Sequence, residues 1–138
     1  MKKRPDRNLY RILDANFNRA KEGLRVCEDV CRYVWDWEAL TRAFKNLRHE
    51  LTGIMARADI KAAIEARHIQ GDVGRSTTLS ERGRTDIHDV FWANSQRVKE
   101  SLRVLEEVTK LTDTRLSSGI KMLRYKVYAL EQKALKLG

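Results

Sequence analysis

ANFNRAKEGLRVCEDV, residues 15–30, and ANSQRVKESLRVLEEV, residues 93–108, are one segment written twice, with ten of sixteen positions identical. Two unrelated segments would share about one. Repeated apolar residues are what two similar helices need for similar cores. The repeated asparagine, arginines and glutamates need a further reason.

Working outward, apolar residues recur at three- and four-residue steps through Leu9, Leu13, Ala20, Leu24, Cys27, Cys31 and Val34, which predicts one long amphipathic helix. Pro5 with Asp6 or Asn8 supplies start signals. A second helix carries Leu40, Ala43, Phe44, Leu47, Leu51 and Ile54, with Asp36 of Trp35-Asp36-Trp37 expected as its N-cap. After Thr85 a third helix bears Val90, Leu102, Leu105 and Val108, and Asp113 or Thr114 caps a fourth bearing Leu116, Ile120, Leu123, Val127 and Leu130. The repeat continues into these partners: at a shift of 76 instead of 78, Leu40, Lys45, Leu47 and Arg48 match Leu116, Lys121, Leu123 and Arg124. The unit is therefore a helical hairpin of about fifty residues present twice, its second turn two residues shorter. We expect an all-α, four-helix bundle-like single domain over 1–138, with approximate two-fold symmetry. Hairpins at 6–55 and 85–137 flank a connector at 56–84. In that connector DIKAAIEARHI suits a short helix, while QGDVGRSTTLSERGR is a fifteen-residue irregular loop.

Net charge is +9, from 28 Lys and Arg against 19 Asp and Glu, which favours anionic partners. The basic residues are interspersed with acidic ones, with no aromatic-interleaved basic helix, which argues against nucleic acid. No apolar run reaches membrane-span length or resembles a signal peptide core, so a cytoplasmic protein is expected. Cys27 and Cys31 are read as small buried residues in a reducing compartment, since no His or Cys cluster completes a metal site. The three histidines form no nucleophilic constellation.

Spacing residues about 100° apart around the first helix puts Asn16 near the centre of the apolar face and Arg19 at its margin. Arg25 and Glu28 point away, and Glu106-Glu107 reads as a solvated pair. By the repeat, Asn94 and Arg97 take the same places in the third helix. An unpartnered core amide costs about 1–3 kcal/mol, so both asparagines require partners. They either bond to facing helices and fix the register, or line a cavity with Arg19, Arg97, Arg48 and Arg124. Lys45 and Lys121 lie off the stripe. In the connector, GDVGRSTT offers amides, hydroxyls and an arginine suited to phosphate, although it is no P-loop; a polar connector explains it equally.

The stretches RILDANFNRAKEGLRVCEDVCRY, GDVG and DVFWANSQRVKESLRVLEEVTK resemble the all-helical hydroxymethylpyrimidine-phosphate kinase domain of thiamine biosynthesis, the type often fused ahead of thiamine-phosphate synthase. The resemblance runs from about Leu9 to Leu130. It implies ATP-dependent phosphorylation of the pyrimidine phosphate to its diphosphate, with magnesium as cofactor. It also implies a fused or separate thiamine-phosphate synthase as partner; a homodimer is compatible, and no nucleic-acid or membrane partner is expected. A reaction that joins two polyanions needs clustered cations, a carboxylate-held metal and a lid. On that chemistry Arg19, Arg97 and Asp72 are the catalytic candidates, with Asp72 placing the metal. Asn16, Asn94, Arg48 and Arg124 are assigned to pyrimidine and phosphates, Lys45 and Lys121 to assistance. Glu22 and Glu100 are held in reserve for metal or for the amino group. Gly71, Gly74 and Arg75 would cover the ATP phosphates. The rival readings are a non-catalytic regulatory or dimerisation module binding a nucleotide or phosphometabolite, and a basic bundle for nucleic acid.

Overall fold

The computed structural model describes residues 7–76 and 83–138, the side chain of Ile60 excepted. Pro5, Asp6 and the Thr77-Thr78 part of the loop, named above, lie outside the described residues. The chain is all-helical: α1 (Arg7–Asp29), α2 (Glu38–Met55), α3 (Ile60–Glu65), α4 (Ile87–Thr109) and α5 (Thr114–Leu137), with no strand among the described residues.

Three of the helices, α3, α4 and α5, begin where the sequence supplies an acceptor. Asp113 accepts from the amides of Arg115 and Leu116 at the start of α5. Asp59 does the same for Ala62 in α3. At α4, Asp86 accepts from the Asp89 amide while the Asp89 carboxylate accepts from both the amide and the hydroxyl of Thr85, a reciprocal cap. Those Thr85 bonds hold the Asp89 carboxyl below the usual carboxylate range.

The start of α2 differs from expectation. Asp36 is not its N-cap but sits in the left-handed region at φ 53°, and Trp37 occupies the cap position with no side-chain bond. The reason lies upstream. α1 runs into a π-helical turn at Val30–Val34, and the Trp37 amide bonds back to Cys31 O. This brings the Trp35 and Trp37 rings to 4.4 Å and lays Trp35 on Phe91, so aromatic packing rather than an Asp cap closes this end.

α1 packs against α4, α4 against α5, and α2 bridges α1 and α5; their apolar faces form one core. Contacts show that α1 and α4 run antiparallel: Cys27 faces the Phe91 carbonyl, and Gly23 faces Asn94 and Val98. A Cβ at Gly23 would lie 2.6 Å from Val98 Cγ2 and 3.0 Å from Asn94 O, so this crossing is close because residue 23 has no side chain. Gly23→Ala is expected to cost about 1–3 kcal/mol through overpacking. Gly53→Ala in α2, whose added carbon meets nothing within 4 Å, should instead stabilise by about 0.5–1 kcal/mol. Urea unfolding of the two variants checks the pair; equal effects would refute the close crossing.

Both cysteines are free and buried. Burial pushes the Cys31 thiol up to about 11 and Cys27 further still, which keeps both protonated and unreactive near neutral pH.

The largest departure from the helical-wheel reading concerns Glu28 and Glu106. Both fall on the solvent side of that wheel, yet both are only 2% exposed. Glu28 accepts from Arg48, with Nε at 3.2 Å and Nη2 at 3.1 Å. Glu106 accepts from Arg124, with Nε at 3.3 Å and Nη2 at 3.1 Å, and also from Arg103. Each hairpin therefore contains the same inter-helix ion pair at matched positions.

Candidate functional site

One face of the bundle carries an open two-lobed cleft between α1, α4 and the segment after α3. The larger lobe encloses about 780 Å³ and the smaller about 540 Å³, sizes typical of small-molecule sites. Asn16, Arg19 and Asp72 line both lobes and so form their shared wall.

Helix geometry explains the larger lobe. Arg19 on α1 and Arg97 on α4 are matched residues of the repeat, and the antiparallel register brings both to its wall. Glu22 and Glu100, one turn further along each helix, follow them in. Arg75 and Arg84 enter from the connector, giving four guanidinium groups in all. Against them stand three carboxylates: Asp72, Glu22 and Glu100. Arg19 and Arg97 are exposed, and neither makes an ion pair among the described residues. Unpaired cations held on rigid helices are suited to an anion that arrives from solution.

The smaller lobe lies where α3 meets α1. Arg67 clamps that junction, donating to both Asp14 oxygens at 2.7 and 2.6 Å. The bond to Asp14 raises the already high pKa of Arg67. Asn18 donates to the same carboxylate, which satisfies a residue only 8% exposed. The chain then turns through His68 into GDVG. Asp72 Oδ1 accepts from the Gly74 amide at 2.9 Å, and Gly71 lies so close to the His68 imidazole that a Cβ would meet it at 2.3 Å.

The structure thus brings Asn16, Arg19, Glu22, Asp72, Gly74, Arg75, Arg97 and Glu100 of the expected set to one cleft. The remaining expectations are corrected. Arg48 and Arg124 do not reach it, because their guanidinium groups are held by Glu28 and Glu106 inside the hairpins. Lys45 lines a separate groove of about 400 Å³ beside Glu28 and Thr41, and exposed Lys121 lies over the Tyr125 ring. Asn94 meets Gly23 through its backbone carbonyl in the helix crossing, its side chain bonds back to Val90 O, and it lines neither lobe. Gly71 is exposed and seats His68, while the Gly74 amide is already engaged by Asp72 instead of being offered to phosphate.

The two asparagines follow neither expected pattern fully. Asn16 Nδ2 donates to Ile12 O at 3.0 Å and Asn94 Nδ2 to Val90 O at 2.8 Å, so each amide is satisfied within its own helix. Asn16 still lines both lobes, with its amide oxygen not engaged by that bond. Sequence reading missed Arg11, Arg67, His68 and Arg84. No signal marks them, since a lone cation reveals its neighbours only after folding.

Among the described residues no group of three or more His, Cys, Asp or Glu converges to hold a metal. The cleft carboxylates Asp72, Glu22 and Glu100 therefore form no preformed cage. No helix among the described residues is long and apolar enough to cross a membrane.

An all-helical domain with an open cleft lined by several guanidinium groups is the class that fold and site define. Residues 11–133 match the model of the ThiD2 family, and the chain belongs to that family. It is 48% identical over 127 residues to the thiamine-phosphate synthase of Thermosynechococcus vestitus, covering 90% of this chain and 34% of that one. It is 44% identical over 124 residues to the thiamine-phosphate synthase of Synechocystis, covering 89% and 35%, and 40% identical over 124 residues to that of Rhodopirellula baltica, covering 89% and 33%. The chain therefore spans about a third of the length of these relatives. No solved structure matches it.

Proposed function

We propose that this chain is an ATP-dependent kinase of thiamine biosynthesis that converts 4-amino-5-hydroxymethyl-2-methylpyrimidine phosphate to its diphosphate. Membership of the ThiD2 family and relatives named thiamine-phosphate synthase support the pathway. The observation that carries the reaction is the pair of guanidinium groups, Arg19 and Arg97, without an ion-pair partner among the described residues and lining one cleft with Asp72, Glu22 and Glu100.

The nucleophile is an oxygen of the substrate phosphate. It attacks the γ-phosphorus of ATP, the bond from that phosphorus to the β–γ bridging oxygen breaks, and ADP leaves with the electron pair. A phosphate monoester has a second pKa of about 6 and is mostly dianionic at neutral pH, so its oxygen needs no base. What the protein must provide is alignment and charge neutralisation between two polyanions. Arg19 and Arg97 bridge phosphate oxygens with paired N–H groups, a geometry lysine lacks. Asp72 with Glu22 or Glu100 would hold a magnesium ion brought by the nucleotide, since such an ion takes only one or two protein carboxylates, and it would supply further charge neutralisation at the phosphates.

The relatives are about three times as long as the matched segment, so a synthase in the remaining length, or as a separate protein, would work beside this kinase. The direct test is incubation with magnesium, ATP and the pyrimidine monophosphate, followed by phosphorus NMR and anion-exchange chromatography. Stoichiometric ADP and pyrimidine diphosphate are expected. Binding of ATP without product would instead identify a non-catalytic nucleotide-binding module, and salt-sensitive RNA binding a nucleic-acid protein.

A further inference from the structure

Nothing so far assigns the smaller lobe. We infer that it is the acceptor site, taking the pyrimidine monophosphate, while the larger lobe takes the nucleotide triphosphate; this rests on the kinase reading above. Size and chemistry both divide the lobes this way. The nucleotide is the bulkier ligand and carries the longer polyphosphate. The larger lobe is the roomier, and it holds Arg75, Arg84 and Arg97 with Glu22 and Glu100 for a metal-bound polyphosphate.

The smaller lobe offers what a compact aminopyrimidine phosphate requires. Asn8 and Asn16 supply amides, which can both give and accept hydrogen bonds, as a ring nitrogen and an amino group demand. Ile69, 62% exposed, provides an uncovered apolar side chain for the ring or its methyl. Arg11 supplies a cation and His68 an imidazole N–H donor for the monoester, while Arg67 is held by Asp14 and shapes the wall. Arg19 and Asp72, on the common wall, stand where the two phosphate chains must meet.

His68 provides a second handle on the same lobe. Its imidazole is packed against Gly71, so a methyl at residue 71 must displace it without altering any charge. The ring is the far end of a flexible side chain, so that displacement leaves the fold intact.

The test is steady-state kinetics with each substrate varied in turn, on wild-type protein and on Arg11→Ala, Gly71→Ala and Arg84→Ala. Loss of one charge-assisted contact should raise KM for the pyrimidine phosphate about tenfold in Arg11→Ala and leave KM for ATP within about twofold. Gly71→Ala should change the same constant in the same direction. Arg84→Ala should raise KM for ATP alone. Wild-type turnover combined with the opposite split, or with equal effects on both constants, overturns the lobe assignment and leaves the kinase intact. Absence of diphosphate from wild-type protein overturns the kinase reading itself. Titration of the pyrimidine monophosphate into each variant by calorimetry supplies a readout independent of turnover: Arg11→Ala should bind about tenfold more weakly and Arg84→Ala as wild type, and the reverse pattern refutes the assignment.

Discussion

Arg48→Ala should lower stability by about 3–5 kcal/mol, the range for removing one partner from a buried ion pair. For a domain of this size that is a fall of about 10–15 °C in Tm. The Glu28 side chain is 2% exposed, and Arg48 is its ion-pair partner among the described residues, so truncation removes both N–H donors from a buried carboxylate. The matched Arg124→Ala should cost less, because Arg103 also holds Glu106. Replacing both members, Glu28→Leu with Arg48→Met, should recover most of the loss, since no buried charge remains. Thermal and urea unfolding followed by circular dichroism distinguish these cases. If Arg48→Ala unfolded within about 2 °C of wild type, burial of this pair would be refuted.

These pairs supply the missing reason for the polar residues in the repeat. Glu28 and Arg48 are twenty residues apart, Glu106 and Arg124 eighteen. The difference of two is the longer first connection, where the chain passes through the π-helical turn at Val30–Val34. A hairpin whose helices are joined by different turns keeps one register if a buried Glu–Arg pair fixes it. Polar residues maintained in duplicate can thus serve the hairpin itself.

The same comparison shows what was legible in the sequence. Periodicity located the four long helices, because each buries a continuous apolar stripe. It misplaced Glu28 and Glu106, because a helical wheel built from apolar residues marks only one contact direction. α1 also packs sideways on α2, and the carboxylate is buried there by a partner from another helix. The signal was nonetheless present: Glu and Arg recur together in both copies. The cleft was partly legible for a related reason. Arg19 and Arg97 stood out as polar residues at the margin of an apolar face, and a repeat packed antiparallel on itself brings such margins together. Arg11, His68 and Arg84 carry no comparable pattern: His68 and Arg84 enter the cleft through the path of the connector, which periodicity does not describe, and Arg11 on α1 lines a lobe that the segment after α3 completes.

On the kinase reading, Arg19→Ala should reduce turnover by about two to three orders of magnitude, comparable to losing one strong donor to transition-state charge. Arg19 lines both lobes, whereas Arg97 lines only the larger, so Arg97→Ala should cost about tenfold to a hundredfold. Arg19→Lys should fall between, keeping the charge and losing the forked geometry. Because Arg19 is exposed and makes no ion pair among the described residues, none of these changes should move Tm by more than about 2 °C. Arg25→Ala on the same helix is the control: its pair with Asp29 at 3.5 Å is exposed and away from the cleft, so rate and stability should both hold. A defect in Arg19→Ala confined to turnover would mark a group that meets the transferring phosphoryl. Normal turnover in that variant would remove the shared wall from the reaction, and a parallel loss of rate and Tm would make the residue structural.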